Sequence, residues 1–341
     1  MKYSFRNDYN QVGHPRIIET LLKNANVVNS GYGEDVVTKN LKNLLSESVG
    51  KEVNIHLLVG GTLANKTVIS KMLRPYEAVI SCDSGHINVH ETGAVEATGH
   101  RIISIMKDNG KLSSYDIDEV MKVYNEVHRV HPKAVYISNS TEIGTVYTKK
   151  ELVEIYACCK KYGLYLYLDG ARLPIALTSK SNDITLKDIY DYTDVFYISG
   201  TKNGMPLGEI LIIKDEDINE KFKYHLKNQG GMVSKTFTLS YMFLEYFKDD
   251  FYLTLAKNAN DNAEYLRNKF KELNINIVYP NDTNQIFIEL EKSVVEKISE
   301  DYDFEIWERL ESTIIIRIVT TFNTTIESCN ELISDLKKLI K

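Results

Sequence analysis

From Pro15 to about Ser240 two periodicities alternate, and that alternation limits what the chain can become. Helical stripes are separated by short apolar runs at Ile55–Val59, Ala78–Cys82, Ala134–Ser138, Tyr165–Leu168 and Val195–Ile198. Such runs read as strands buried on both faces. Strands alternating with helices read as βαβ units around a mostly parallel sheet. The turn Gly60-Gly61-Thr62 leads into a helix with Ala64, Val68, Ile69, Met72 and Leu73 on its apolar side. Lys149–Tyr162 is a helix that turns Leu152, Val153, Ile155 and Tyr156 inward. After about Phe237 the pattern changes. A largely helical stretch runs to about Leu273, strands follow at Ile275–Val278, Gln285–Leu290 and Thr313–Val319, and a last helix is predicted to bury Ile326, Cys329, Ile333, Leu336 and Ile340. The expected architecture is α/β, with a large domain over residues 1–245 that includes the N-terminal arm. A small C-terminal α+β domain covers 246–341, joined through a helix rather than a flexible linker.

The balance of charge narrows the function. A net charge of −6 argues against a general nucleic-acid binder. The four cysteines, Cys82, Cys158, Cys159 and Cys329, match no zinc spacing, and four in 341 residues is no disulfide framework. The start, MKYSFRNDYN, lacks the apolar core of a signal peptide, and no run approaches a membrane span. These features lead to the expectation of a cytoplasmic enzyme with reduced thiols, no metal and no membrane partner.

Two of the apolar runs end in chemistry. Tyr165–Leu168 closes on Asp169-Gly170-Ala171-Arg172, and Val195–Ile198 runs into Ser199-Gly200-Thr201-Lys202-Asn203-Gly204. The crevice beyond strand ends is where α/β proteins bind ligands. A carboxylate and an amine placed there are what pyridoxal 5'-phosphate (PLP) needs: the lysine for a Schiff base, the carboxylate for the pyridinium nitrogen. Gly60-Gly61-Thr62 can cradle a phosphate at a helix N-terminus, but alone it is a weak signal, and an ordinary strand–helix turn is the better account of it. The dinucleotide fingerprint and the Walker A loop are both absent, so a phosphate of PLP size fits better than NAD or ATP. Arg172 can reach a ring hydroxyl or a substrate carboxylate. Ser199, Gly200 or Thr201 can add phosphate contacts. His86 can stack on an aromatic ring or cap the following helix, with Glu91 placed to orient it, and Arg317 suits an α-carboxylate if it reaches into the site.

Taken as an ordered series, the segments Tyr32-Gly33-Glu34-Asp35, Gly61-Thr62-Leu63-Ala64-Asn65, His86 with Glu91, Asp169–Arg172, Ser199–Gly204, Thr283-Asn284 and Arg317–Thr320 resemble the threonine aldolase branch of the β-eliminating lyase superfamily. The resemblance implies the fold type I PLP architecture and a PLP-dependent aldolase. Its reaction cleaves the Cα–Cβ bond of a β-hydroxy-α-amino acid, such as L-threonine or L-allo-threonine, to glycine and acetaldehyde. It implies that Lys202 carries the cofactor, Asp169 pairs with the ring nitrogen, His86 stacks on the ring, and Gly61 and Thr62 bind the phosphate. Arg172 and Arg317 would hold the substrate carboxylate. Family members are dimers or tetramers with sites between subunits, so Tyr32 and Lys235 would serve a neighbour's site.

Three departures bear on substrate and base. The loop after the central strand often carries a histidine; here Glu142 takes its place, making Glu142, His86 or a water the base. A common Gly-Gly-Met-Arg-Gln segment reads Gly230-Gly231-Met232-Val233-Ser234-Lys235. The N-terminal pair, often Ser-Asp, is Asn7-Asp8, which puts Asn7 among the substrate-binding positions. The rivals are a PLP-dependent β-elimination on the same scaffold and a non-catalytic relative of the fold.

Overall fold

The computed structural model describes residues 1–340. Thirteen strands occur among them: β1 (Tyr3–Ser4), β2 (Asn54–Leu58), β3 (Glu77–Cys82), β4 (Arg101–Ile105), β5 (His131–Ser138), β6 (Tyr165–Asp169), β7 (Val195–Ser199), β8 (Glu209–Ile213), β9 (Asn276–Ile277), β10 (Gln285–Glu291), β11 (Tyr302–Asp303), β12 (Glu305–Arg309) and β13 (Thr313–Val319). Seven form the large sheet in the order β2-β8-β7-β6-β5-β3-β4. Its central pairs are parallel, and β8 alone runs against both its neighbours. The parallel core follows from the helices that cross between strands and cover both faces. β3, β7 and β8 are buried along their whole length.

Helix starts follow local chemistry. Thr148 accepts from the Glu151 amide while Glu151 returns a bond to Thr148, so Lys149–Lys161 begins on a capping box. Helix Gly61–Met72 is different: it starts after Gly60 with no side-chain cap. Its residues Ala64, Val68, Ile69 and Met72 are buried, as predicted, and so is Leu73 just past its end.

The second sheet, in the order β12-β13-β10-β9, is antiparallel. Its core takes Ala263, Leu266 and Phe270 from helix Phe251–Glu272, and the core under the large sheet reaches Leu255 on the same helix. β1 pairs in parallel with β11 and Phe5 joins the second core, so the first residues of the chain are stitched to the C-terminal unit.

The helical stretch after Phe237 is two helices, Thr236–Phe247 and Phe251–Glu272. They are broken where Asp249 and Asp250 adopt positive φ. In the last helix, Ile326–Leu339, Cys329 and Leu336 are buried as predicted, with Leu332 added. Ile326 is corrected: at the first position, outside the packed stripe, it is 41% exposed. Val153 and Tyr156 are half-buried beside fully buried Leu152 and Ile155. No helix among the described residues is long and apolar enough to cross a membrane.

Candidate active site

All the parallel strands of the large sheet end on one edge, and residues able to hold a ligand or do chemistry stand just beyond those ends. β6 ends in Asp169. Lys202 lies three residues past β7, Glu142 four past β5, His86 four past β3, and Gly61 three past β2. The edge is dense because buried strands bring their C-terminal ends together, the arrangement expected of a ligand crevice.

Asp169 is the centre of a buried knot. Its Oδ1 accepts from the Tyr197 hydroxyl at 2.5 Å and the Ala171 amide at 2.9 Å. Its Oδ2 accepts from the Tyr136 hydroxyl at 2.6 Å and Asn65 Nδ2 at 3.0 Å. Burial works against the charge, yet His86 and these donors hold the carboxyl below its usual range. Asn65 also donates to Glu91 Oε1 at 2.6 Å, and Glu91 Oε1 lies 2.8 Å from His86 Nδ1. Glu91 therefore orients the imidazole, and His86 does not cap its helix: Gly85 holds that position and His86 is the first helical residue. The His86 amide donates to Glu142 Oε1 at 2.9 Å, as does Ser138 Oγ at 2.7 Å. Burial pushes the Glu142 carboxyl up, opposed by Ser138 and assisted by the charge of Asp169.

Lys202 lies on the loop that follows β7. Burial, then the charge of Arg172, holds its amine below the ordinary lysine range, and Asp8, Asp169 and Glu209 pull it back up. The loop is pinned by Thr201, which accepts from the Gly208 amide at 3.0 Å and donates to Glu209 Oε1 at 2.8 Å. Burial raises Glu209 to about 7, and its Oε2 is buried without a partner.

The arginines are each met by a carboxylate. Arg172 donates through Nε and Nη2 to Asp8 at 2.7 and 3.0 Å, and Asn284 donates to the same Asp8 at 3.0 Å. Arg317, on β13, donates to Glu305 across the ladder and to Gln285 at 3.3 Å. Of the arm's Asn7-Asp8 pair, Asp8 enters the cluster, while the Asn7 side chain accepts from the Tyr9 amide. Tyr32 and Lys235 share no hydrogen bond or ion pair with it. Tyr32 lines a separate surface cavity of about 630 Å³ with Asp35, His56 and Met232. Lys235 is exposed at the start of helix Thr236–Phe247.

Sequence reasoning passed over several members of the site. Tyr136 and Tyr197 look like strand filler, and only their positions two residues before the strand ends hinted that a hydroxyl could reach out. Glu209 opposes Ser199 across β7 and β8, a pairing invisible without β8. His90 lies with its ring 5.5 Å from that of His86. It is held below its ordinary range by burial, then by His86 and Arg317.

Comparison with known proteins is consistent with this geometry. The family model described as beta-eliminating lyase matches residues 4–293. The low specificity L-threonine aldolase of Pseudomonas aeruginosa is 28% identical over 270 residues, 78% of each chain. That of Saccharomyces cerevisiae is 28% identical over 276 residues, covering 78% of this chain and 68% of the relative. The structure of Leishmania major threonine aldolase superposes with a TM-score of 0.98 at 38% identity, over 99% of this chain and 100% of that one. An aspartate aminotransferase from Thermus thermophilus, at 12% identity and a TM-score of 0.73, shares the fold.

Proposed function

The chain belongs to the beta-eliminating lyase family, and from that premise we propose that it is a PLP-dependent aldolase. It splits a β-hydroxy-α-amino acid of the threonine type into glycine and an aldehyde. The observation that carries this reading is a lysine amine held below its usual range on the same strand-end edge as an ionised, fully buried carboxylate. The residues present fit the cofactor. Lys202 would bond its aldehyde carbon, Asp169 would face its ring nitrogen, and His86 its ring. Gly61, Thr62 and Thr201 would take the phosphate. The helix that begins at Gly61 has free amides and no side-chain cap, and a Cβ at Gly61 would stand 3.0 Å from the Tyr197 hydroxyl, filling the space a ligand needs. PLP, when bound, supplies the electron sink for the pair released as the Cα–Cβ bond opens.

The protein's own groups do the rest. Arg317 and the edge of Arg172 not taken by Asp8 orient the substrate carboxylate, and such positioning is worth several orders of magnitude in rate. Glu142 accepts the proton of the β-hydroxyl, and its raised affinity for protons suits that task near neutrality. The carbonyl forms as that proton leaves, and one proton returns to Cα of glycine. The substrate is a small amino acid, and Tyr32 and Lys235 serve the site of a second copy in a homodimer or homotetramer. The β-elimination reading is not favoured, since the relatives above are named as aldolases. The test is direct: supply PLP, add L-threonine, L-allo-threonine and L-serine, and identify products. Acetaldehyde with glycine is expected from the first two. Pyruvate with ammonia from L-serine, and no aldehyde from any of them, would defeat the proposal.

A further inference from the structure

How Asp169 keeps its charge is a separate question from what it pairs with. It is 2% exposed, and the carboxyl groups of Glu91, Glu142 and Glu209 face the same knot. A lone carboxylate in such a place takes up a proton. Against that stand the neighbouring His86 ring and four donors at 2.5 to 3.0 Å. A carboxylate has about four lone-pair sites, and here all four are occupied. The tyrosine donors are secure, because burial and then Asp169 itself push both hydroxyls well above their usual range. Asn65 is the loosest donor at 3.0 Å, and its Nδ2 already has Glu91 at 2.6 Å.

We propose that Tyr136 and Tyr197 are positioning residues whose hydroxyls keep Asp169 in its carboxylate form, so that a pyridine nitrogen facing it retains its proton. This rests on the PLP reading above. Asn65 is the donor that yields to the ring N–H. Without the two hydroxyls, the proton between ring and carboxylate crosses: the N–H bond breaks, an O–H bond forms on Asp169, and a neutral pair replaces the ion pair.

The experiment is to load wild-type, Y136F, Y197F, Y136F/Y197F and N65A proteins with PLP labelled with ¹⁵N in the ring and to record the nitrogen resonance. Wild type should give a pyridinium signal, each single tyrosine variant a signal part of the way towards neutral pyridine, and the double variant neutral pyridine. N65A should stay with wild type. A double variant that binds PLP and keeps the wild-type signal overturns the inference, as does N65A moving as far as the tyrosine variants. If the double variant does not fold, the two singles decide in the same way, since phenylalanine preserves the ring packing. A wild-type protein in which borohydride tags no peptide containing Lys202 sinks the cofactor reading itself, an outcome distinct from an unmoved resonance.

Discussion

The two ends of the site solve the problem of buried charge in opposite ways. At Asp169 a carboxylate is surrounded by uncharged donors from the large sheet, a helix on it and the loop just beyond β6. At the far end two guanidinium groups are each met by an acid: Arg172 by Asp8 of the N-terminal arm, and Arg317 by Glu305 of the neighbouring strand. Neutral donors satisfy a charge without cancelling it, so the Asp169 end retains a full negative charge aimed at one cationic partner. An arginine with its own acid is already compensated, and a substrate carboxylate must share it or take a free edge. The first end is therefore fixed by one rigid unit. The second is assembled from the arm, Arg172 and the C-terminal sheet, and affinity for the substrate can be adjusted there without touching the donors around Asp169.

The contrast can be broken or sharpened by substitution. Lys202, between the two ends, has the largest predicted effect: K202A should reduce turnover to background in an aldehyde assay, and an active variant would remove the basis for treating the two ends as one site. E142Q should lower kcat by about 10²- to 10⁴-fold, the usual range for a general base. Because burial raises the Glu142 proton affinity, the wild-type rate should climb with pH through that raised value on the acid limb, and a pH profile of E142Q should lose the climb. R317A removes one buried charged partner. It should cost about 2–5 kcal/mol in kcat/KM, roughly 30-fold or more, mostly through KM. D8N should weaken the fold itself, since breaking a buried pair typically costs about 3–5 kcal/mol. The sign is set by the depressed carboxyl of Asp8: burial opposes its ionisation, but Arg172 and Lys202 outweigh it. Its contribution is present above the ordinary aspartate value and lost as pH falls through the folded one, so thermal melts in acid should fall more steeply for wild type than for D8N. N7A, which deletes only an acceptor for the Tyr9 amide, should change stability by less than about 0.5 kcal/mol.

The same contrast explains what could be read in the chain beforehand. The strand-end edge was legible where a polar residue closes an apolar run, which is why Asp169, Lys202 and Arg172 stood out. It was illegible where the functional atom is the tip of a residue that also packs: Tyr136 and Tyr197 satisfy the pattern of a buried strand with their rings. Among the strands, β4 and β12 lie at sheet edges, and β12 carries a register shift between Ile306 and Glu308 that spoils its alternation. β8 follows β7 through the loop of residues 200–208 with no helix between them, so the βαβ rhythm gave no reason to expect a strand there. At the arginine end the pairing of Asp8 with Arg172 spans 164 positions, and no local pattern carries such information.

Gly170, beside Asp169, lies against the backbone of Tyr197. A Cβ there would fall 1.7 Å from the Tyr197 carbonyl oxygen, while its own carbonyl accepts from the Ser199 and Leu173 amides. The restriction is one of clearance rather than of backbone angle. In a saturation library this codon should therefore tolerate no replacement, not even alanine, and a designer seeking new substrates should leave it untouched and diversify around Glu305 instead.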